Sequence, residues 1–461
     1  MLFNSYIFLF VFLPIALTMW WTLSDNRWRL LGLTLASYYF YAWWDWRFLP
    51  LMIASTNVDY LAGRKISESD DPGIKKRWLV CSLSFNLALL GIFKYYGFFA
   101  SSVDAVARSM GWPAIIPVVN LVLPIGISFY TFNSMSYTID VYRGVVRPAR
   151  SLLHFSAFVA MFPHLIAGPI VRYSDIENQL NNLKKKLPSG ELAVGIFFFV
   201  TGLAKKLIVA DRIARPVNIF FESSAGNGAI PAWLAVLGYT FQLYFDFSGY
   251  SDMAVGLAHL LGFQFPQNFN SPYKAVSISD FWRRWHISLS TWLRDYLFIP
   301  LGGSRLGTAR TLFNLTVTMF LGGLWHGANW TFVIWGLYHG VLLAASAGYR
   351  QVRGPNVPDA ISRPLTFLAV VFGWVFFRSA NFGQAADIFG QMFGKNGLGA
   401  WTMTMDETAL LLIAAVTAFT LPNTWEFRLR PLRTYAYGLA VLFVCAVLLI
   451  GKESPFLYFQ F

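Results

Sequence analysis

His286 and His326 are two of only six histidines in a chain of 461 residues, and each lies among tryptophans. The first sits in FWRRWHISLSTWLRDY, the second in GGLWHGANW. Imidazole titrates near neutral pH, and its neutral form takes a proton from a hydroxyl. Burial favours that neutral form by penalising the cation. In a chain this apolar, a titratable group kept among hydrocarbon-facing residues is a functional candidate by default.

The neighbours of each histidine limit the chemistry. Around His326, glycines at 322, 323 and 327 let backbone come close to a ligand. Trp325 precedes the imidazole, and Asn329 is placed to orient it or to donate to a developing oxyanion. Two readings stand at this point: a general base, or a buried imidazole satisfied by a backbone carbonyl. His286 is crowded by Asp280, Arg283, Arg284, Ser288, Ser290, Arg294 and Asp295. Helical spacing would put His286 on one face with Trp282, and Ser290 on one with Arg294. That face suits the mouth of a polar site at a membrane border, and equally suits interfacial anchoring by aromatic and basic residues.

Other chemistries find little support. The chain has no HExxH pair and no tight His/Asp cluster, so no metal is expected. Neither glycine-rich nucleotide signature occurs, and no G-x-S-x-G elbow surrounds a serine. QLYFDFSGYSD places Gln242, Asp246 and Asp252 inside an apolar stretch. Acids at that depth must face protein or a wet path, which keeps a transporter in view. The two halves of the chain show no matching interruptions to support one.

The elements that must position these residues are membrane helices. Apolar residues make up 56% of the chain and charged ones 13%, against about 25% charge in soluble domains. Long unbroken apolar runs point to an all-α polytopic membrane protein and away from a barrel. About eleven or twelve spans are expected, with re-entrant and interfacial helices, in one membrane domain over residues 1–461 whose catalytic core is about 115–347. The net charge of +13 gathers in short loops, as topology signals do, so no nucleic-acid partner is called for. The mixed-charge run Gly63–Arg77 reads as an internal loop, and Pro216–Pro231, without Lys or Arg, as an external one. Lys205 and Lys206 fall inside an apolar run and are expected to snorkel toward headgroups. Cys81 and Cys445 have no metal-site spacing.

The residues carry a family resemblance over most of the chain. LFNSYIFLFVFLP opens it, followed by SYYFYAWWD at 37–45, FKYYGFF at 93–99 and LPIGISFYTFNSMSYTIDVYRG at 123–144. FPHLIAGPIVRY at 162–173, QLYFDFSGYSDMAVGL at 242–257 and FWRRWHISLSTWLRDYLFIPLGG at 281–303 continue it. GGLWHGANWTFVIWGLYHG at 322–340 and VFGWVFFR at 371–378 complete it. Together they resemble the membrane-bound O-acyltransferase family, in its bacterial branch acting on alginate, peptidoglycan or cellulose.

The resemblance implies a ring of membrane helices around a funnel, with His326 as the catalytic histidine and His286 as its partner. It implies an O-acetyltransferase of the bacterial inner membrane, with acetyl-CoA as donor substrate and no tightly bound cofactor. Supporting or oxyanion roles would fall to Asn329, Ser288, Ser290 and Trp325. Lys274, Arg283, Arg284 and Arg294 would meet the donor phosphates, and Gln242, Asp246 and Asp252 would line a polar tunnel. The acceptor would be an exported polysaccharide, most readily alginate, reached through periplasmic SGNH-type or accessory proteins on the external face. Peptidoglycan or cellulose acetylation, or a non-catalytic export role, are the alternatives. The aromatic Pro455–Phe461 segment, PFLYFQF, reads as an interfacial anchor or a docking element for such a partner, amid membrane lipids.

Overall fold

The computed structural model describes residues 1–119, 121–223, 226–352, 357–427, 433–451 and 456–457. Among them the regular structure is helical throughout, with α-helices interrupted by single π-helical or 3-10 turns. Four stretches are long and apolar enough to cross a membrane: Pro72–Ser109, Ser189–Glu222, Trp330–Gln351 and Asp359–Arg378. Phe8–Thr22 and Arg433–Leu448 are apolar but shorter. Among the described residues these long apolar helices, with no strand beside them, bear out the all-α polytopic membrane class read from sequence. Other long helices, such as Ala229–Leu260, carry polar side chains that protein contacts satisfy.

The chain divides into two compact units. The first comprises Met1–Phe199 and Ala254–Pro266, the second Val200–Met253 and Gln267–Phe461. In the first unit, helix starts are written in the sequence. Asp25 caps Asn26–Asp45 by accepting from the Arg27 and Trp28 amides, and Asp71 caps Pro72–Leu90 through Gly73. Because Leu49–Glu68 runs up to that cap, the charged stretch expected as a loop is helical except at 69–71. A buried carboxylate, Asp59, joins these two helices by accepting from Ser82 Oγ at 2.5 Å and Asn86 Nδ2 at 2.9 Å. The core of this unit is aromatic, with Phe8, Phe12, Phe40 and Phe162 in mutual contact.

In the second unit, Asp211–Glu222 is an amphipathic helix burying Ile213, Val217, Phe220 and Phe221. It therefore takes up part of what reads in sequence as the external Pro216–Pro231 loop. Lys205 and Lys206 do not snorkel. Lys206 is buried and donates to Asp246 at 2.6 Å and Asp211 at 2.8 Å. Lys205 donates to Asp252 at 2.6 Å and Thr424 Oγ1 at 2.8 Å. A buried ion costs so much to desolvate that the nearby acids win over the distant interface.

Candidate active site

His326 is the last residue of the Thr308–His326 helix, which packs against Trp330–Gln351 as a tight hairpin. A Cβ at Gly323 would collide with the Phe332 carbonyl, and one at Gly336 with the Met319 carbonyl. Small residues at this seam let the two backbones touch, as membrane helices do where no hydrophobic force drives them together. The turn ends at Asn329, whose Oδ1 accepts from the Thr331 amide at 3.1 Å and so caps the second helix. Its Nδ2 donates to the Ala380 carbonyl at 2.9 Å. Asn329 is thus a cap and a tie, and both ends of its amide are engaged away from the imidazole it was expected to orient. His326 is 5% exposed, with ring centroids of Trp335 at 4.9 Å, Trp325 at 5.0 Å and Phe377 at 5.2 Å.

His286 does not lie on one helix with Trp282. Ile278–Trp282 starts at a Ser277 cap and stops after five residues. The chain then turns, and His286 takes a left-handed backbone, φ 44° and ψ 54°, before Ile287–Leu293 begins. Left-handed backbone is costly for a residue other than glycine and persists only where the surroundings impose it. Here they do. The buried ring has Nδ1 3.1 Å from Asn268 Oδ1. Asn268 Nδ2 donates to Ser251 Oγ at 3.0 Å, which turns its Oδ1 toward His286 and toward Ser288 Oγ at 2.8 Å. An acceptor opposite Nδ1 places the proton there and the lone pair on Nε2. Desolvation lowers the imidazole's pKa and keeps it neutral. The His286 and His326 rings are 6.5 Å apart, with Phe247 4.7 Å from His286 on its edge.

The structure therefore brings together the two histidines singled out from sequence, along with Ser288 and Trp325, whose ring is 6.0 Å from His286. It leaves several other candidates elsewhere. Ser290 Oγ donates to the Trp285 carbonyl at 3.3 Å. Each basic residue has a protein partner: Arg284 Nε donates to Asp280 at 3.0 Å, Arg283 lies 3.7 Å from Asp280, and Arg294 donates to Asp295 at 2.6 Å. Lys274 Nζ donates to the Leu421 carbonyl at 2.6 Å. Arg283 and Arg294 nonetheless keep 66% and 59% of their side chains exposed. Asp246 and Asp252 neutralise lysines, as described, and Gln242 is buried beside them on Ala229–Leu260.

Sequence reasoning missed two residues. Asn268 stands 18 positions before the ring it orients, in the irregular stretch FPQNFN, and no periodicity links the two. His339 is the other: fully buried, with ring centroids of Trp335 at 5.0 Å and Trp282 at 5.3 Å. Among the described residues neither of its nitrogens has a hydrogen-bond partner. Gly373 makes room for it, since a Cβ there would stand 2.8 Å from His339 Nε2. A histidine inside the apolar WGLYHG run was the available signal. Of Pro455–Phe461, only Phe456 and Leu457 are described; Pro455 and 458–461 lie outside the described residues. Both described residues are buried, Phe456 against Tyr250 at 4.8 Å, and the Leu457 amide donates to Asp246 at 3.0 Å. Among the described residues, no group of three or more His, Cys, Asp or Glu side chains could hold a metal ion.

A neutral imidazole with its proton fixed at Nδ1, 6.5 Å from a second buried imidazole, gives this cluster two groups of a type that can accept a hydroxyl proton. A probable alginate O-acetylase, AlgI, of Pseudomonas putida is 43% identical to this chain over 100% of both. A peptidoglycan O-acetyltransferase of Helicobacter pylori is 37% identical over 89% of this chain and 83% of its own length. A teichoic acid D-alanyltransferase of Bacillus subtilis is 28% identical over 63% of this chain and 79% of its own. Residues 145–382, more than half of the chain and including both histidines, match the membrane-bound O-acyltransferase family. The chain belongs to the membrane-bound O-acyltransferase family.

Proposed function

We propose that this protein is an O-acetyltransferase of the bacterial inner membrane, moving acetyl from acetyl-CoA toward an exported polysaccharide, most readily alginate. The observation that carries this reading is the buried His286–His326 pair, 6.5 Å apart, with the His286 proton held at Nδ1 by Asn268. The names of two relatives, a probable alginate O-acetylase and a peptidoglycan O-acetyltransferase, support a polysaccharide hydroxyl as the acceptor class. Identity over the full length of the alginate relative favours alginate over peptidoglycan.

His326 takes the proton of the acceptor hydroxyl as its oxygen attacks the thioester carbonyl. The carbonyl becomes a tetrahedral oxyanion, then the C–S bond breaks. The CoA thiolate leaves and receives the proton from the His326 imidazolium. His286, neutral with its proton on Nδ1, stands 6.5 Å from His326 and shapes the pocket that keeps the hydroxyl in line with that base, and Ser288 acts through Asn268 by fixing the tautomer. Arg283 and Arg294, the most exposed of the four basic candidates, meet the phosphates of CoA. A periplasmic SGNH-type or accessory protein completes transfer to the polymer.

The test is thioester cleavage of acetyl-CoA by purified protein. His326→Ala should abolish it while the melting profile stays that of the parent. Retention of more than a few per cent of the rate would remove His326 as the essential base. His286→Asn should be the milder variant, and equal loss from both would overturn the ranking. Absence of any cleavage in the parent would point instead to an export component without chemistry.

A further inference from the structure

A second site lies away from the histidines, within the second unit. The helices Asp211–Glu222 and Met405–Thr420 border a cavity of about 510 Å³. Arg212 and Arg215 line it from the first helix, and Asp406 and Glu407 from the second. Asp211 also reaches it, but its carboxylate is engaged by Lys206 at 2.8 Å. Two guanidiniums and two carboxylates thus share one space without pairing. Among the described residues neither arginine has a hydrogen bond or ion pair, and the polar contact found for the acids' carboxylates is the Thr404 amide on Glu407. Opposite charges held apart across a cavity suit a ligand that carries both charges and bridges them.

The rest of the lining says what else that ligand must have. Leu410 and Ile413 form an apolar border, about one and two turns beyond the acids. Ile413 continues into a bare apolar face with Leu412 and Val416, each more than half exposed. In a membrane protein such a face meets acyl chains, and the point where a helix changes from charged to apolar marks headgroup depth. The arginines occupy the polar side of a helix whose other side is buried, as interfacial amphipathic helices do. We propose that this cavity binds the headgroup of a zwitterionic phospholipid of the phosphatidylethanolamine class. The phosphate is held by Arg212 and Arg215, the ammonium by Asp406 and Glu407, and the acyl chains follow the Ile413 face. The proposal is independent of the acetyl-transfer reading.

The experiment is native mass spectrometry of the purified protein incubated with an equal mixture of phosphatidylethanolamine and phosphatidylglycerol. The parent should retain phosphatidylethanolamine preferentially. The pair R212Q/R215Q should lose about tenfold of that retention, as expected when charge-assisted phosphate contacts are removed. The pair D406N/E407Q should reverse the preference toward phosphatidylglycerol, because unopposed guanidiniums favour net negative charge. Glutamine at 407 preserves the capping box with Thr404. The two pairs move selectivity in opposite directions, which general unfolding cannot imitate. Unchanged preference in D406N/E407Q, or unchanged retention in R212Q/R215Q, overturns the proposal. Water-soluble glycerophosphoethanolamine supplies the last arm. Displacement of lipid by it at equal concentration would overturn the lipid as occupant in favour of a free zwitterion, and failure to displace supports the lipid.

Discussion

His164 in the first unit and His286 in the second are equally buried, yet they spend their nitrogens differently. His164 Nε2 donates to the Phe158 carbonyl at 2.9 Å, and its Nδ1 accepts from Asn133 Nδ2 at 3.1 Å. Both nitrogens are committed to scaffold, and Phe158 and Phe265 pack on the ring. His286 commits Nδ1 to Asn268, and its ring lies in a cluster of rings with that of His326 6.5 Å away. Burial therefore does not separate a structural histidine from one proposed to serve chemistry. The direction in which the protein fixes the proton does, together with what the remaining nitrogen faces.

The comparison can be broken at several points. The largest effect should come from His326→Ala, with a loss of about a hundredfold or more in acetyl-CoA cleavage, the range of a general base. A comparable loss from His164→Leu in folded protein would erase the distinction between the two regions. Next, Asn268→Ala frees the His286 tautomer and should cost about tenfold in kcat with little change in KM for acetyl-CoA, since it misaligns rather than removes the imidazole. Ser288→Ala should follow it in direction and fall below it in size. His164→Leu should leave the specific activity of folded protein intact but cost about 2 kcal/mol of stability. It leaves the Phe158 carbonyl and the Asn133 amide buried without their partner, and a lowered thermal midpoint checks this. The smallest effect on stability should be His339→Leu. A buried imidazole with neither nitrogen bonded pays desolvation without return, so an apolar replacement of similar size should hold or raise the midpoint. A clear drop would mean that a bound group completes the His339 site.

The helical class and the two buried histidines of the candidate site were legible because both are local signals. Apolar runs declare helices, and a histidine among tryptophans in such a run stands out. What remained hidden depended on contacts between distant segments. Asn268 is an ordinary residue until the chain turns at 283–286 and brings His286 back over it. Lys205 and Lys206 read as snorkelling because sequence shows the apolar run but not the acids 40 and 47 residues on. Helical spacing failed for His286 and Trp282 because one left-handed residue resets the phase, and nothing in FWRRWHISLS declares it. The charged 63–77 stretch misled in the opposite sense: polar composition resembles a loop, but a two-helix hairpin with a cap at Asp71 satisfies it equally well.

The left-handed backbone at His286 changes what an alanine scan measures there. Histidine, asparagine and aspartate tolerate this conformation better than most side chains, whereas alanine pays its full steric cost. An alanine at 286 would subtract an imidazole and tax the turn in the same experiment, and the two quantities could not be separated afterwards. Asparagine removes only the ring. The position therefore admits a short alphabet of informative substitutions, and that alphabet is dictated by a dihedral angle before any chemistry is considered.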